Sequence, residues 1–216
     1  EVRRVRYSAA CPAAPQADAV VAAAEMPDGR QLLLNVPTNL PGVSTPPGHT
    51  LVALTASATG PLECKGTHVP RSELIAGPEE GLMARGGGGR TGGLQTCTLA
   101  LGLAGAASEF LAVEAEKREE LRESAVALAE QQQALEADLL AAAEGAPRCT
   151  AESLRTRANS LALRTTQAAL AAAKGAGFVV THPAGRWCRE ALFFLVWSCP
   201  QPVLAANLCE LAGFSE

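Results

Sequence analysis

Apolar residues in the second half of the chain recur at intervals of three and four, the spacing that lines one face of a helix. Cys97, Leu101, Ala104, Ser108 and Leu111 form one such stripe, and Leu99, Leu103, Ala106, Phe110 and Val113 coat another face. This pattern predicts a helix buried nearly all round. The charges packed between Glu114 and Glu123 mark its solvated end. A second stripe runs through Leu121, Ala125, Leu128, Leu135 and Leu139 to Gly145-Ala146-Pro147, and glycine followed by proline is a stop signal. A third helix starts at Thr150 as N-cap. It carries Leu154, Ala158, Leu161, Thr165, Ala168 and Ala172 and ends at Lys174-Gly175. A fourth begins near Pro183, a good first-turn residue, and bears Trp187, Leu192, Phe194, Leu195 and Trp197. Four helices with short connections predict an antiparallel four-helix bundle.

The first half has the punctuation of strands. Ala19 to Ala24 and Gln31 to Val36 are short apolar runs around Pro27-Asp28-Gly29, a turn between two strands. Pro37, Pro41, Gly42, Pro46, Pro47 and Gly48 build a rigid loop. Leu51 to Leu54 and Pro61 to Val69 are the next expected strands, and Pro70 and Pro78 frame an exit segment. The run Gly86 to Gly89 reads as a flexible link. It has no Gly-x-x-x-x-Gly-Lys-Ser/Thr context, so it does not read as a phosphate loop. The fold class is therefore α+β, with a partial small β-barrel or sheet domain over residues 1–85 and the bundle over 86–216.

Composition supports this division. Apolar residues make up 48% of the 216-residue chain but aromatics only 4%, which suits packed helices. A net charge of −4, with Lys and Arg scattered among Glu, excludes a nucleic-acid footprint and a polybasic membrane patch. The uncharged stretches Thr91 to Ser108 and Ala191 to Leu208 are diluted by polar residues or broken by prolines. Both read as core helices, with no membrane span. Seven cysteines with no close pair, and only three histidines, predict reduced cytoplasmic thiols rather than disulfides or a metal site. His182 before Pro183 reads as a helix cap, and Trp187 and Trp197 as core. Arg186 and Arg189 read equally well as interface or surface arginines.

Three segments resemble the acyl-CoA dehydrogenase family. Leu51 to Pro70, continuing through Leu74 to Pro78, is similar to a strand pair and exit loop of its middle domain. Leu99 to Phe110, with Gly102 and Gly105, looks like the first helix of its C-terminal bundle. His182-Pro-Ala-Gly-Arg-Trp-Cys-Arg-Glu-Ala191 resembles a helix start with an Arg-x-x-Arg-Asp pattern, here Arg186 and Arg189-Glu190. The resemblance runs from about Ala17 to the end and covers about half of a full-length member. It implies a flavoprotein with an N-terminal helical domain, a middle β-domain and a C-terminal four-helix bundle. It also implies FAD between bundle and β-domain, a homo-oligomer (dimer or tetramer) and an acyl-CoA-type substrate. The implied reaction is α,β-desaturation, in which a Glu removes the α-proton and the flavin takes the hydride.

The sequence departs from that pattern where the chemistry sits. The family's Tyr-Glu-Gly-Thr-like tetrapeptide falls on Trp197-Ser198-Cys199-Pro200, so Ser198 takes the Glu position. In branches with the base on the first bundle helix the position falls on Gln95. Glu109 and Glu114 read as solvated. The cofactor arginine motif falls near Arg118 and Arg122, without its Phe-Gly, and Tyr7 to Pro15 do not match the flavin-facing strand. Residues before about Gln16 are expected to come from a truncated or frame-shifted start. Two further readings stand beside a dehydrogenase-like flavoprotein lacking its base: a flavin-dependent monooxygenase of the same fold, and a non-catalytic oligomerising helical fragment.

Overall fold

The computed structural model describes residues 8–82, 93–197 and 199–214. The chain divides into two compact units, Glu1–Gly87 and Gly88–Glu216.

The first unit holds two small antiparallel sheets. Strands β2 (Ala19–Glu25) and β3 (Gln31–Pro37) pair in continuous register from Ala19↔Pro37 to Glu25↔Gln31, and β6 (Leu74–Glu79) adds to the other side of β3. The intervening turn closes where expected. Gly29 takes φ +86° and Asp28 accepts from the Arg30 amide at 3.1 Å. In the second sheet β5 (Gly60–Cys64) lies between β1 (Ser8–Cys11) and β4 (Val43–Ser44). Alternation along β3 buries Leu32, Leu34 and Val36 against Ala22, Ala24 and Leu62.

Two expectations change. Leu51 to Leu54 is not a strand, because Leu54 turns into the left-handed region (φ +57°) and a 3-10 turn follows at Thr55–Ser57. With no neighbouring strand to pair with, Val52 stays exposed. Conversely, the exit segment supplies β6, and residues 8–11, which carry no readable period, form β1 by pairing with β5.

The second unit contains three long helices: α1 (Gly93–Lys117), α2 (Arg122–Ala143) and α3 (Ala151–Ala173). Thr150 caps α3 as expected, accepting from the Ser153 amide at 3.1 Å. The end of α2 is a Schellman motif: Gly145 sits at φ +83° and Ala146 N–H donates to Ala141 O. Helix α3 is central, with twelve of its 23 residues buried. It packs against α1 and α2 through Leu154, Ala158 and Leu161, which meet Ala100, Ala104, Leu111, Leu128 and Leu135.

The fourth expected helix is instead three short ones: α4 (Pro183–Ala191), α5 (Phe193–Val196) and α6 (Gln201–Leu211). Pro200 and Pro202 donate no hydrogen bonds and disfavour helix in the residue before them, so the chain breaks there and restarts with proline in the first turn. Helix α1 also departs from the all-round burial expected of it. Thr96, Cys97, Ala100, Ala104, Ala107, Leu111 and Ala115 form one buried stripe, while Leu99 is 63% exposed. By length and composition α1 is the one described helix apolar enough to cross a membrane; its buried stripe packs it into the helical core.

Candidate functional site

A polar network lies at the heart of the helical unit, where α3 meets the broken fourth helix. Arg155 is only 1% exposed. Its Nη2 donates to Trp197 O at 3.0 Å and Phe194 O at 3.4 Å, and its Nε donates to Asn159 Oδ1 at 3.0 Å. Asn159 Nδ2 in turn donates to Phe194 O at 3.0 Å and to Asn207 Oδ1 at 2.9 Å, and Asn207 Nδ2 donates to Thr156 O at 3.3 Å. Two buried side chains of α3, Arg155 and Asn159, thereby grip the main chain of α5 and its C-cap, and Asn207 of α6 braces Asn159. Burial pulls the Arg155 guanidinium below its ordinary value, with the Cys97 and Cys199 thiols opposing, yet a guanidinium stays charged in proteins. The grip is charge-assisted, which makes it stronger than a neutral hydrogen bond.

This network was not singled out from the sequence. The available signal was a polar pair spaced i, i+4, Arg155 and Asn159, adjoining the apolar positions Leu154 and Ala158 of the α3 stripe.

A second cluster closes the other end of the unit. Arg118 Nη2 donates to Glu114 Oε2 at 2.8 Å and to Ala172 O at 2.6 Å, so one guanidinium ties the end of α1 to a terminal carbonyl of α3. Lys117 donates to Glu114 Oε1 at 2.9 Å. That bond, with Arg118 behind it, holds the Glu114 carboxyl below the usual carboxylate range. Glu114, Arg118, Ala172, Lys174 and His182 line a depression of about 330 Å³. His182 caps α4 as expected, its Nδ1 accepting from the Ala184 amide at 3.2 Å, and stands edge-on to Phe110.

Lys174 ends α3 at φ +55°, ψ −147°, a conformation that costs an L-residue roughly 1–3 kcal/mol and glycine little. Lys174→Gly is therefore expected to raise unfolding stability by about 1 kcal/mol, read as a higher denaturant midpoint at unchanged slope.

Gln95 is exposed in the first turn of α1, and Ser198 lies outside the described residues. Arg122 pairs at the surface with Glu119 at 2.9 Å. A pyrophosphate needs cationic or amide donors turned toward it. Arg118 is turned onto Glu114 and the Ala172 carbonyl at the end of α3, and Arg122 sits beside the Glu119 carboxylate. Trp187 meets Phe110, whereas Trp197 stacks on Phe193 at 5.4 Å, so the two tryptophans have different partners. All seven cysteines are free. Burial pushes the Cys64, Cys97 and Cys188 thiols up, away from nucleophilic thiolate. No metal-holding group of His, Cys, Asp or Glu occurs among the described residues.

No protein-family model matches the chain, and no curated protein matches it. Solved structures do match. A glutaryl-coenzyme A dehydrogenase in complex with glutaryl-CoA superposes with TM-score 0.81 at 16% identity, over 97% of this chain and 58% of that one. Butyryl-CoA dehydrogenase from Megasphaera elsdenii gives 0.78 at 18% identity, over 96% and 59%. A glutaryl-CoA dehydrogenase from Mycobacterium smegmatis in complex with FADH2 gives 0.75 at 17% identity, over 96% and 57%. This chain has the acyl-CoA dehydrogenase fold. It spans less than two thirds of the length of these structures.

Proposed function

We propose that this chain is an acyl-CoA dehydrogenase-like flavoprotein, related to FAD-dependent oxidoreductases acting on CH–CH groups of acyl thioesters, that does not itself carry out the desaturation. One observation carries this reading. The two places that the resemblance gives to the base hold Gln95 and Ser198, and no Asp or Glu is buried among the described residues to replace it. Removing an α-proton beside a thioester calls for a carboxylate within hydrogen-bond reach of that carbon. Glutamine has no useful proton affinity, and an unassisted hydroxyl is no base near neutral pH.

In this reading Gly88–Glu216 corresponds to the C-terminal four-helix bundle with its last helix broken, and Glu1–Gly87 to part of the middle β-domain. The named ligands of the matching structures, glutaryl-CoA and FADH2, make acyl-CoA thioesters and FAD the ligands to try.

A second reading, a non-catalytic unit that assembles with copies of itself, is favoured by the apolar surface left uncovered. Phe178 is 88% exposed, Val179 56% and Val180 84%, three consecutive residues in the connection between α3 and α4, and exposed apolar patches mark interfaces.

Both readings are tested on the purified chain. After FAD is added and excess removed by gel filtration, glutaryl-CoA or butyryl-CoA is supplied without oxygen. The expected result is elution at oligomer size and no bleaching of any retained flavin absorbance. Bleaching by either thioester overturns the first reading, and elution as a monomer overturns the second.

A further inference from the structure

The turn between α5 and α6 has little of its own to fix it. Helix α5 is a single turn of four residues, Phe193–Val196, so its carbonyls find no continuing helix to donate to them. Its local hydrogen bonds include those from the Leu195 amide to Leu192 O at 3.2 Å and from the Trp197 amide to Phe193 O at 2.9 Å. From a distance in sequence the segment is reached by the apolar core around the buried Phe194 ring and by the polar set on α3 and α6. Arg155 crosses 42 residues to reach Trp197 O, and Asn159 crosses 35 to reach Phe194 O.

We infer that Arg155 is the positioning residue of the segment from Phe193 to Trp197, and that this buried cation fixes the path of its main chain where the Phe194 ring alone would not. The described contacts of Arg155 with this segment are to the Phe194 and Trp197 main-chain carbonyls, which every residue type presents. A planar guanidinium suits the task because its donors lie in a rigid fork, and two of its nitrogens are used at once here, Nη2 on the carbonyls and Nε on Asn159. Asn159 and Asn207 complete the grip by linking the Phe194 carbonyl to α6 and to Thr156 O. The inference rests on the proposed function only in what the turn is for, since the segment leads into the Trp197 to Pro200 tetrapeptide that the resemblance assigns to the base.

Amide hydrogen exchange of the full chain tests it without flavin or turnover. In Arg155→Met the amides of Leu195 and Trp197 are expected to exchange on the order of tenfold faster, while those in the middle of α2 around Leu135 keep their protection. Arg155→Lys, which keeps the charge but not the fork, is expected to fall between the two. In a Trp187→Phe background the emission of Trp197 should move to the red in Arg155→Met and partly return in Arg155→Lys. If the methionine variant does not fold, the lysine variant carries the test by the same two amides. Unchanged exchange and emission overturn the inference, as does an even acceleration across α1, α2 and α3, which would make Arg155 ordinary core filling. Thioester bleaching reports on the proposed function and leaves these readouts untouched.

Discussion

Leu111→Ala is expected to destabilise the helical unit by about 3 kcal/mol, within the roughly 2–5 kcal/mol spanned by buried leucine truncations. Leu111 is 1% exposed, and it is the single large side chain among the fully buried positions of α1. The other buried positions there are Thr96, Cys97, Ala100, Ala104, Ala107 and Ala115. Those small residues let α1 approach α3 closely, and their short side chains cannot swing into a cavity left by the lost isobutyl group. The penalty should therefore include most of the cavity cost as well as the transfer cost. Chemical denaturation followed by far-ultraviolet circular dichroism reads it as a lowered midpoint. Val113→Ala on the same helix is the control. Val113 is 49% exposed, so its truncation should stay within about 0.5 kcal/mol of wild type. Equal losses for the two variants would mean that the exposed face of α1 is covered in solution.

The second large effect belongs to the sheet unit. Gly42 lies at φ +84°, and a Cβ there would run into the Lys65 carbonyl oxygen. The same carbonyl region anchors the start of β4, where Lys65 N–H donates to Gly42 O at 2.8 Å and Val43 pairs with Cys64. Gly42→Ala combines a disfavoured backbone conformation with a main-chain collision that no side chain can relieve. The expected cost is about 2–3 kcal/mol, with loss of exchange protection at the Lys65 amide. Gly29→Ala separates the two contributions. Gly29 has nearly the same φ of +86° but nothing within 4 Å of an added Cβ, so only the conformational cost of about 1 kcal/mol should remain. Similar losses at both glycines would show that the collision relaxes away.

Much of the helical unit was legible because its signals are local. The caps at Thr150 and His182 and the glycine stop at Gly145 each depend on residues within five positions of one another, and the three long helices carry stripes that repeat every turn. The β2–β3 hairpin was legible for the same reason, since Asp28 and Gly29 specify its turn. The failures lie where a partner distant in sequence decides. Residues 8–11 have no period of their own and become a strand because β5 is there to pair with them. Leu51 to Leu54 has strand-like residues and is no strand, because no edge is presented to it. The outer face of α1 reads as core because it is apolar, but a periodicity cannot state how many neighbours a helix has.

The candidate site divides in the same way. The residue types at Gln95 and Ser198, and their unsuitability as bases, are matters of sequence alone. That Arg118 binds a helix terminus and Glu114, rather than standing open for an anion, required the position of Ala172 O, 54 residues away. The grip of Arg155 on Phe194 and Trp197 is likewise invisible in a linear reading. A charged residue beside an apolar stripe can turn to solvent or inward, and only the packing of α6 and the broken fourth helix presents the carbonyls that make burying it tolerable. Sequence by itself determined the three long helices, the β2–β3 hairpin, most of their ends and the residues at the implied catalytic positions, because turn chemistry and periodicity act over a few residues. Tertiary structure decided which strands exist, which face of α1 is covered and where the buried cation points, because pairing and desolvation depend on partners that the chain brings together only when folded.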